Sequence, residues 1–192
     1  MCWSGNFIVG KFATLFEIPP LTLNVFRWIS VWFILLPFTY KEISNNLDYI
    51  SQSIKDLTKK TPSNKIFKAI NSYSSESEIR YVGGCIRKII NKEKVDDIDL
   101  ATNLVPEQVC EALKKKNISY YKTGIEHGTI TAEINGEKFE ITSLRQDVFT
   151  DGRHAKVKFS TNWKDDSLRR DFTINSIYSD GDGNLFDPHN GK

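Results

Sequence analysis

Residues 95–102 read V-D-D-I-D-L-A-T, which puts Asp96, Asp97 and Asp99 side by side just where apolar residues begin to alternate with polar ones. Asp is a poor strand former and like charges repel, so a cationic partner is expected. Asp97 and Asp99 are two apart on an expected strand, so their side chains share one side and Asp96 takes the other. Two carboxylates on one side suit a hard divalent cation such as Mg²⁺. A lone D-x-D is more often a solvated strand end, and its neighbours shift the balance. Gly83-Gly84 follows the short apolar stretch Ile79–Val82 and opens an expected helix, with Arg87 one turn in. Glycines let a backbone approach a ligand closely, and Arg offers a forked donor for phosphate oxygens. A third acid, Glu140, is available downstream. Three carboxylates around two metal ions would suit in-line phosphoryl or nucleotidyl transfer.

The elements that must position these groups follow from local pattern. Ile79–Val82 reads as a buried strand, Cys85–Asn91 as a helix and Ile98–Ala101 as a second strand. Pro106 suits the first turn of a further helix, and Lys114, Lys115 and Lys116 suit its negative end. G-T-I-T-A-E-I, then Asn135-Gly136, then E-K-F-E-I-T-S-L is a hairpin signal of the type I′ kind. A two-residue turn pairs Ile134 with Glu137, hence Glu133 with Lys138 and Thr131 with Glu140. Ile130, Ala132, Phe139 and Ile141 then form a core face, and Glu140 lies on the opposite, open face. D-D-S-L-R-R-D-F-T-I-N supplies Arg169, Arg170 and Asp171 before an apolar stretch containing Asn175. Arg145, Asp147, Asp151, Arg153 and His154 form another charged cluster.

The chain has 192 residues, 40% hydrophobic and 26% charged, with a formal net charge of +2. That charge is too small to argue by itself for nucleic-acid binding. Three widely spaced cysteines, Cys2, Cys85 and Cys110, and three scattered histidines argue against a disulfide framework or zinc knuckle. They suit a reducing, cytoplasmic setting. Residues 1–50 differ from the rest: L-T-L-N-V-F-R-W-I-S-V-W-F-I-L-L-P-F, residues 21–38, carries one charge and approaches the length of a membrane span. A membrane span with membrane contact through residues 21–38 is preferred over a buried core helix or a signal peptide. G-N-F-I-V-G-K and P-P-L-T-L-N-V-F-R-W resemble the start of a drug/metabolite transporter of the ten-helix (EamA) kind. That implies a remnant anchor or a fusion of unrelated reading frames. Residues 51–63 have the composition of a polar linker, and Lys114–Lys116 read first as a solvated helix end rather than an RNA contact.

Five motifs then occur in one order: Y-V-G-G-C-I-R, D-I-D-L-A-T, F-E-I-T-S-L-R, T-D-G-R-H-A and R-R-D-F-T-I-N. Together they resemble the head domain of bacterial tRNA nucleotidyltransferases (CCA-adding enzymes) and their relatives the poly(A) polymerases, over residues 64–192. One departure is Lys88, where the family usually has Asp. The resemblance implies an α/β fold: a polymerase-β-like nucleotidyltransferase head with a mixed sheet flanked by helices, preceded here by a hydrophobic helical segment. It implies nucleotidyl transfer from CTP or ATP to the 3′-hydroxyl of tRNA or another RNA, with two Mg²⁺ ions. It assigns Asp97, Asp99 and Glu140 to metal and catalysis, and Gly83, Gly84 and Arg87 to the triphosphate. Arg169, Arg170, Asp171 and Asn175 would line the nucleotide pocket. It also implies a chain that stops before the neck, unable to add an ordered C-C-A by itself. The alternative readings are a non-catalytic fragment that binds nucleotide or RNA, and a membrane-anchored remnant.

Overall fold

Strand alternation gives the central sheet two unlike faces. A computed structural model describes residues 20–148 and 156–191. Residues 1–19, including the stretch before the apolar run, and Asp151, Arg153 and His154 of the second charged cluster lie outside the described residues. Two compact units are formed, Met1–Asp48 and Tyr49–Lys192.

Among the described residues the order is α1 (Pro20–Lys60), α2 (Ser63–Asn71), β1 (Ile79–Val82), α3 (Gly84–Ile90), β2 (Asp99–Thr102), α4 (Pro106–Lys115), β3 (Ser119–Gly124), β4 (Thr129–Ile134), β5 (Glu137–Ser143), β6 (Arg145–Val148), β7 (Lys156–Phe159), α5 (Trp163–Leu168), β8 (Tyr178–Ser179) and β9 (Leu185–Phe186). A 3-10 turn, Thr173–Ser176, precedes β8. The sheet runs β3-β4-β5-β2-β1-β8-β9, while β6 and β7 pair separately. Within that sheet β2 and β5 are parallel and the other pairs antiparallel. It is the mixed sheet flanked by helices that the motifs imply.

The hairpin register is as expected: Ile134 pairs with Glu137, Glu133 with Lys138 and Thr131 with Glu140. Asn135 (φ 56°) and Gly136 (φ 83°) supply the two left-handed residues that a type I′ turn requires. One sheet face buries Ile79, Tyr81, Leu100, Ile130, Ala132, Phe139 and Ile141 against Ile66, Phe67 and Ile70 of α2, Cys85, Ile86 and Ile89 of α3, and Val109 and Leu113 of α4. The other face carries a small cluster, Val82, Ala101, Leu144 and Tyr178, with Trp163 and Phe186 packed against it. Period-two alternation therefore sends Asp99 and Glu140 to the side opposite α2, α3 and α4.

Three expectations need correction. Residues 51–60 are not a linker but the last turns of α1, with Ile50 and Ile54 buried in the core and Leu57 packed against it. Ile50, Ile54 and Leu57 form the i, i+4, i+7 stripe of an amphipathic helix, which composition alone conceals among Ser, Lys and Thr. Thr58 also shares a 3.0 Å hydrogen bond with the Tyr81 hydroxyl. The second strand begins at Asp99 rather than Ile98, leaving Asp97 in an irregular segment. The membrane-spanning reading of residues 21–38 also gives way: among the described residues no helix is long and apolar enough to cross a membrane. From Trp28 onward the apolar run soon meets Pro37, Thr39, Lys41 and Glu42. Within Met1–Asp48 the side chains of Trp28, Trp32, Phe33 and Phe38 are exposed.

Candidate active site

Asp99 opens β2, and Glu140 stands beside it in register on the parallel neighbour β5. Residues directly opposite on adjacent strands project to the same face, so strand pairing alone brings these two carboxyls together. The Asp99 carboxyl is raised above its ordinary pKa by burial, then by the charges of Glu140 and Asp97, with Arg170 and Lys88 pulling the other way. Asp99 therefore feels the charge of both other acids, and the face holds negative charge that a cation would relieve.

Gly83 lies against this acid. It is the residue before α3 and adopts φ 71°, ψ −129°, a conformation open to glycine but not to side-chain-bearing residues. A Cβ placed there would stand 3.7 Å from Asp99 Oδ2 and 3.9 Å from Arg170 Nη1. The bare backbone thus passes between a carboxylate and a guanidinium. At Gly84 a Cβ would lie 4.0 Å from Arg87 Nη2. Arg87 donates to Asn175 Oδ1 at 2.6 Å, and the Asn175 amide donates to Asp171 Oδ1 at 3.1 Å. The Phe172 N–H also donates to Asp171 Oδ1, at 3.0 Å. The Asn175 hydrogen bond, followed by the Phe172 N–H and the more distant Arg87 charge, holds the Asp171 carboxyl below the usual range. This string ties α3 to the turn Thr173–Ser176. Gly83, Gly84, Arg87, Asp99, Glu140, Arg170, Asp171 and Asn175 are thereby brought to one end of the sheet.

Arg169 is placed differently from Arg170. Both grip Asp166, at 2.8 Å and 3.1 Å, but Arg170 is the one that also reaches Gly83 and Asp99. Asp166 is 1% exposed, and its Oδ2 further accepts from the Tyr178 hydroxyl at 2.7 Å. Burial opposes its ionisation, but Arg170, Arg169 and Tyr178 more than offset that and leave the carboxyl below its ordinary pKa. Sequence reasoning missed Asp166 and Tyr178. For Asp166 a signal existed, since an acid three and four residues before an Arg pair on a helix faces both of them. Tyr178 gave none, because its contact with α5 depends on where β8 joins the sheet.

Among the described residues no three of His, Cys, Asp and Glu form a ready-made group that could hold a metal ion. Asp97 lacks a strand ladder to fix it, and its neighbour Asp96 pairs with Lys88. The donor set still fits Mg²⁺, an ion usually held by one or two carboxylates, waters and substrate phosphates. Asp99 and Glu140 offer such oxygen donors on one face, with Asp97 close enough for its charge to be felt. A cleft of about 690 Å³ lies elsewhere, lined by residues such as Phe67, Lys68, Glu78, Arg80 and Asp180, and holds none of the candidate residues. Its lining mixes both charges and selects no ligand.

Residues 79–192, which contain every candidate site residue, match the model of the poly A polymerase head domain. The chain belongs to this family. The head domain is 50% identical over 115 residues to human mitochondrial CCA tRNA nucleotidyltransferase 1, covering 59% of this chain and 26% of that protein. It is 40% identical over 114 residues to the CCA-adding enzyme of Oceanobacillus iheyensis, covering 58% of this chain and 28% of the relative. A crystal structure of the Bacillus stearothermophilus CCA-adding enzyme in complex with CTP superposes with a TM-score of 0.56 at 28% identity, over 66% of this chain and 29% of that one. This chain therefore spans about a quarter of the length of the curated relatives it matches.

Proposed function

We propose that this head domain serves metal-dependent nucleotidyl transfer from CTP or ATP to the 3′-hydroxyl of an RNA, with tRNA 3′-end CCA addition as the reaction. The observation that carries the proposal is the in-register pair Asp99 and Glu140 set against the Gly83 backbone and the Arg170 guanidinium. The names of the relatives support tRNA and CTP as partners. In this reading Asp99, flanked by Asp97 and Glu140, would hold two Mg²⁺ ions, which when bound would lower the pKa of the attacking hydroxyl and neutralise charge on the phosphates. The RNA 3′-oxygen bonds to the α-phosphorus, the bond to pyrophosphate breaks, and the hydroxyl proton leaves to solvent. Gly83 and Gly84 admit the triphosphate close to the backbone. Arg87 and Arg170 supply positive charge from fixed positions, since α3 is too short for its dipole to contribute much. Asp171 and Asn175 present oxygen and amide groups to the nucleoside, and Arg169 holds Asp166 in place beside Arg170.

The test is incorporation of radiolabelled CTP and ATP into tRNA lacking its 3′ end. Mg²⁺-dependent incorporation is expected, and Asp99→Asn should reduce it at least about 100-fold. Incorporation of any nucleotide reports on the head chemistry, whereas an ordered C-C-A also reports on selection between the bases. Nucleotide binding with no incorporation at any Mg²⁺ concentration would favour a binding role instead.

A further inference from the structure

Two cations, Arg170 and Lys88, act electrostatically on the Asp99 carboxyl, and they are held in unlike ways. Arg170 is locked: its Nε and Nη2 donate to Asp166 Oδ2 at 3.2 Å and 3.1 Å, and Nε also donates to the Tyr178 hydroxyl at 3.2 Å. Lys88 sits at the end of a flexible four-carbon stem on α3, and its ammonium hydrogen-bonds Asp96 Oδ1. The same oxygen accepts from the Asp97 N–H at 2.9 Å. Asp96 is largely exposed and belongs to the irregular stretch before β2, so nothing regular fixes this pair. An exposed Lys–Asp pair is weakly held. Its charge is nevertheless felt along the acidic face: Asp97 acts on Lys88, and Lys88 acts on Asp99.

From this juxtaposition we infer that Lys88 is a resident counter-cation of the acidic face, competing with a divalent ion for Asp97 and Asp99 and setting how tightly the face holds one. The inference rests on the metal-binding reading above. A positive charge beside a cation site repels a doubly charged ion twice as strongly as a singly charged one. Lys88 thus trades divalent affinity for a neutralised face when no ion is bound. The reading that Lys88 instead helps binding, by tethering Asp96 and through it Asp97, predicts the opposite sign.

The experiment is a Mn²⁺ titration of the full chain followed by electron paramagnetic resonance of free Mn²⁺, with thermal melting of each variant as a folding control. Lys88→Met is expected to tighten Mn²⁺ binding about 3–10-fold. Lys88→Arg, which keeps the charge, should leave it within about twofold. Asp99→Asn should abolish binding in either background. Unchanged or weaker binding by Lys88→Met, with Asp99→Asn still abolishing binding, overturns the inference and leaves the metal reading intact. Binding that is insensitive to Asp99→Asn, or absent from every variant, overturns both.

Discussion

At the residue scale two acids that feel the Arg170 charge, Asp99 and Asp166, have opposite electrostatic fates. Asp99 is burdened by burial and by other carboxylates, so it holds its proton more tightly when the chain is folded. Asp166 is more deeply buried yet sits between two guanidiniums, so it gives up its proton more readily. Because its folded pKa is depressed, Asp166 contributes stability that is present above the unfolded carboxyl value and lost as pH falls through the folded one. Replacing Asp166 with Asn leaves two arginines facing a neutral group in a buried setting. This should cost about 3–5 kcal/mol, measured by denaturant unfolding at neutral pH. The gap between wild type and variant should narrow as the pH is taken below the ordinary carboxylate range. A gap that stays constant into strong acid would show that Asp166 is not the group titrating. Asp166 was within reach of the sequence through its spacing to Arg169 and Arg170, but nothing local showed that this trio faces inward.

At the element scale the end of α1 carries a structural burden that its composition hides. Ile54 is 0% exposed and packs with Ile66, Phe67 and Tyr81 in one core. Truncation to Ala should cost about 2–5 kcal/mol, whereas Lys59→Ala on the same helix should change stability by less than about 0.5 kcal/mol. Equal effects from the two substitutions in thermal or urea unfolding would restore the linker reading. The hairpin was legible to the residue because a two-residue turn fixes register and period-two alternation fixes the faces. The start of β2 was not, because D-x-D is compatible both with a strand and with the irregular approach to one. That one boundary decides whether Asp97 is held by a ladder or left to its neighbours.

At the scale of the whole molecule the head stands on the unit Tyr49–Lys192. A chain beginning at Tyr49 retains Ile50, Ile54 and the Thr58–Tyr81 hydrogen bond. It should melt in one cooperative transition. A chain beginning at Asn64, the boundary expected from the motifs, loses all three and should melt at a lower temperature or fail to fold. Indistinguishable melting curves for the two would show that the end of α1 adds nothing to this core. The seven-stranded order β3-β4-β5-β2-β1-β8-β9 is equally a property of the whole. It puts β2 between β5 and β1, so Asp99 has Glu140 on one flank while Gly83 follows on from β1.

The sequence by itself determined the strand and helix types around the glycine pair and D-x-D, the hairpin register, the ordered motifs and the residue chemistry of the site, because these depend on spacing over a few residues. Only the tertiary structure decided that Asp166 and Tyr178 lock Arg170, that Asp97 falls outside the strand, that Lys88 pairs with Asp96 and that the end of α1 joins the core. Those outcomes depend on side chains far apart along the chain being brought together by sheet order and helix packing, and local periodicity carries no information about which distant partner a buried charge will meet.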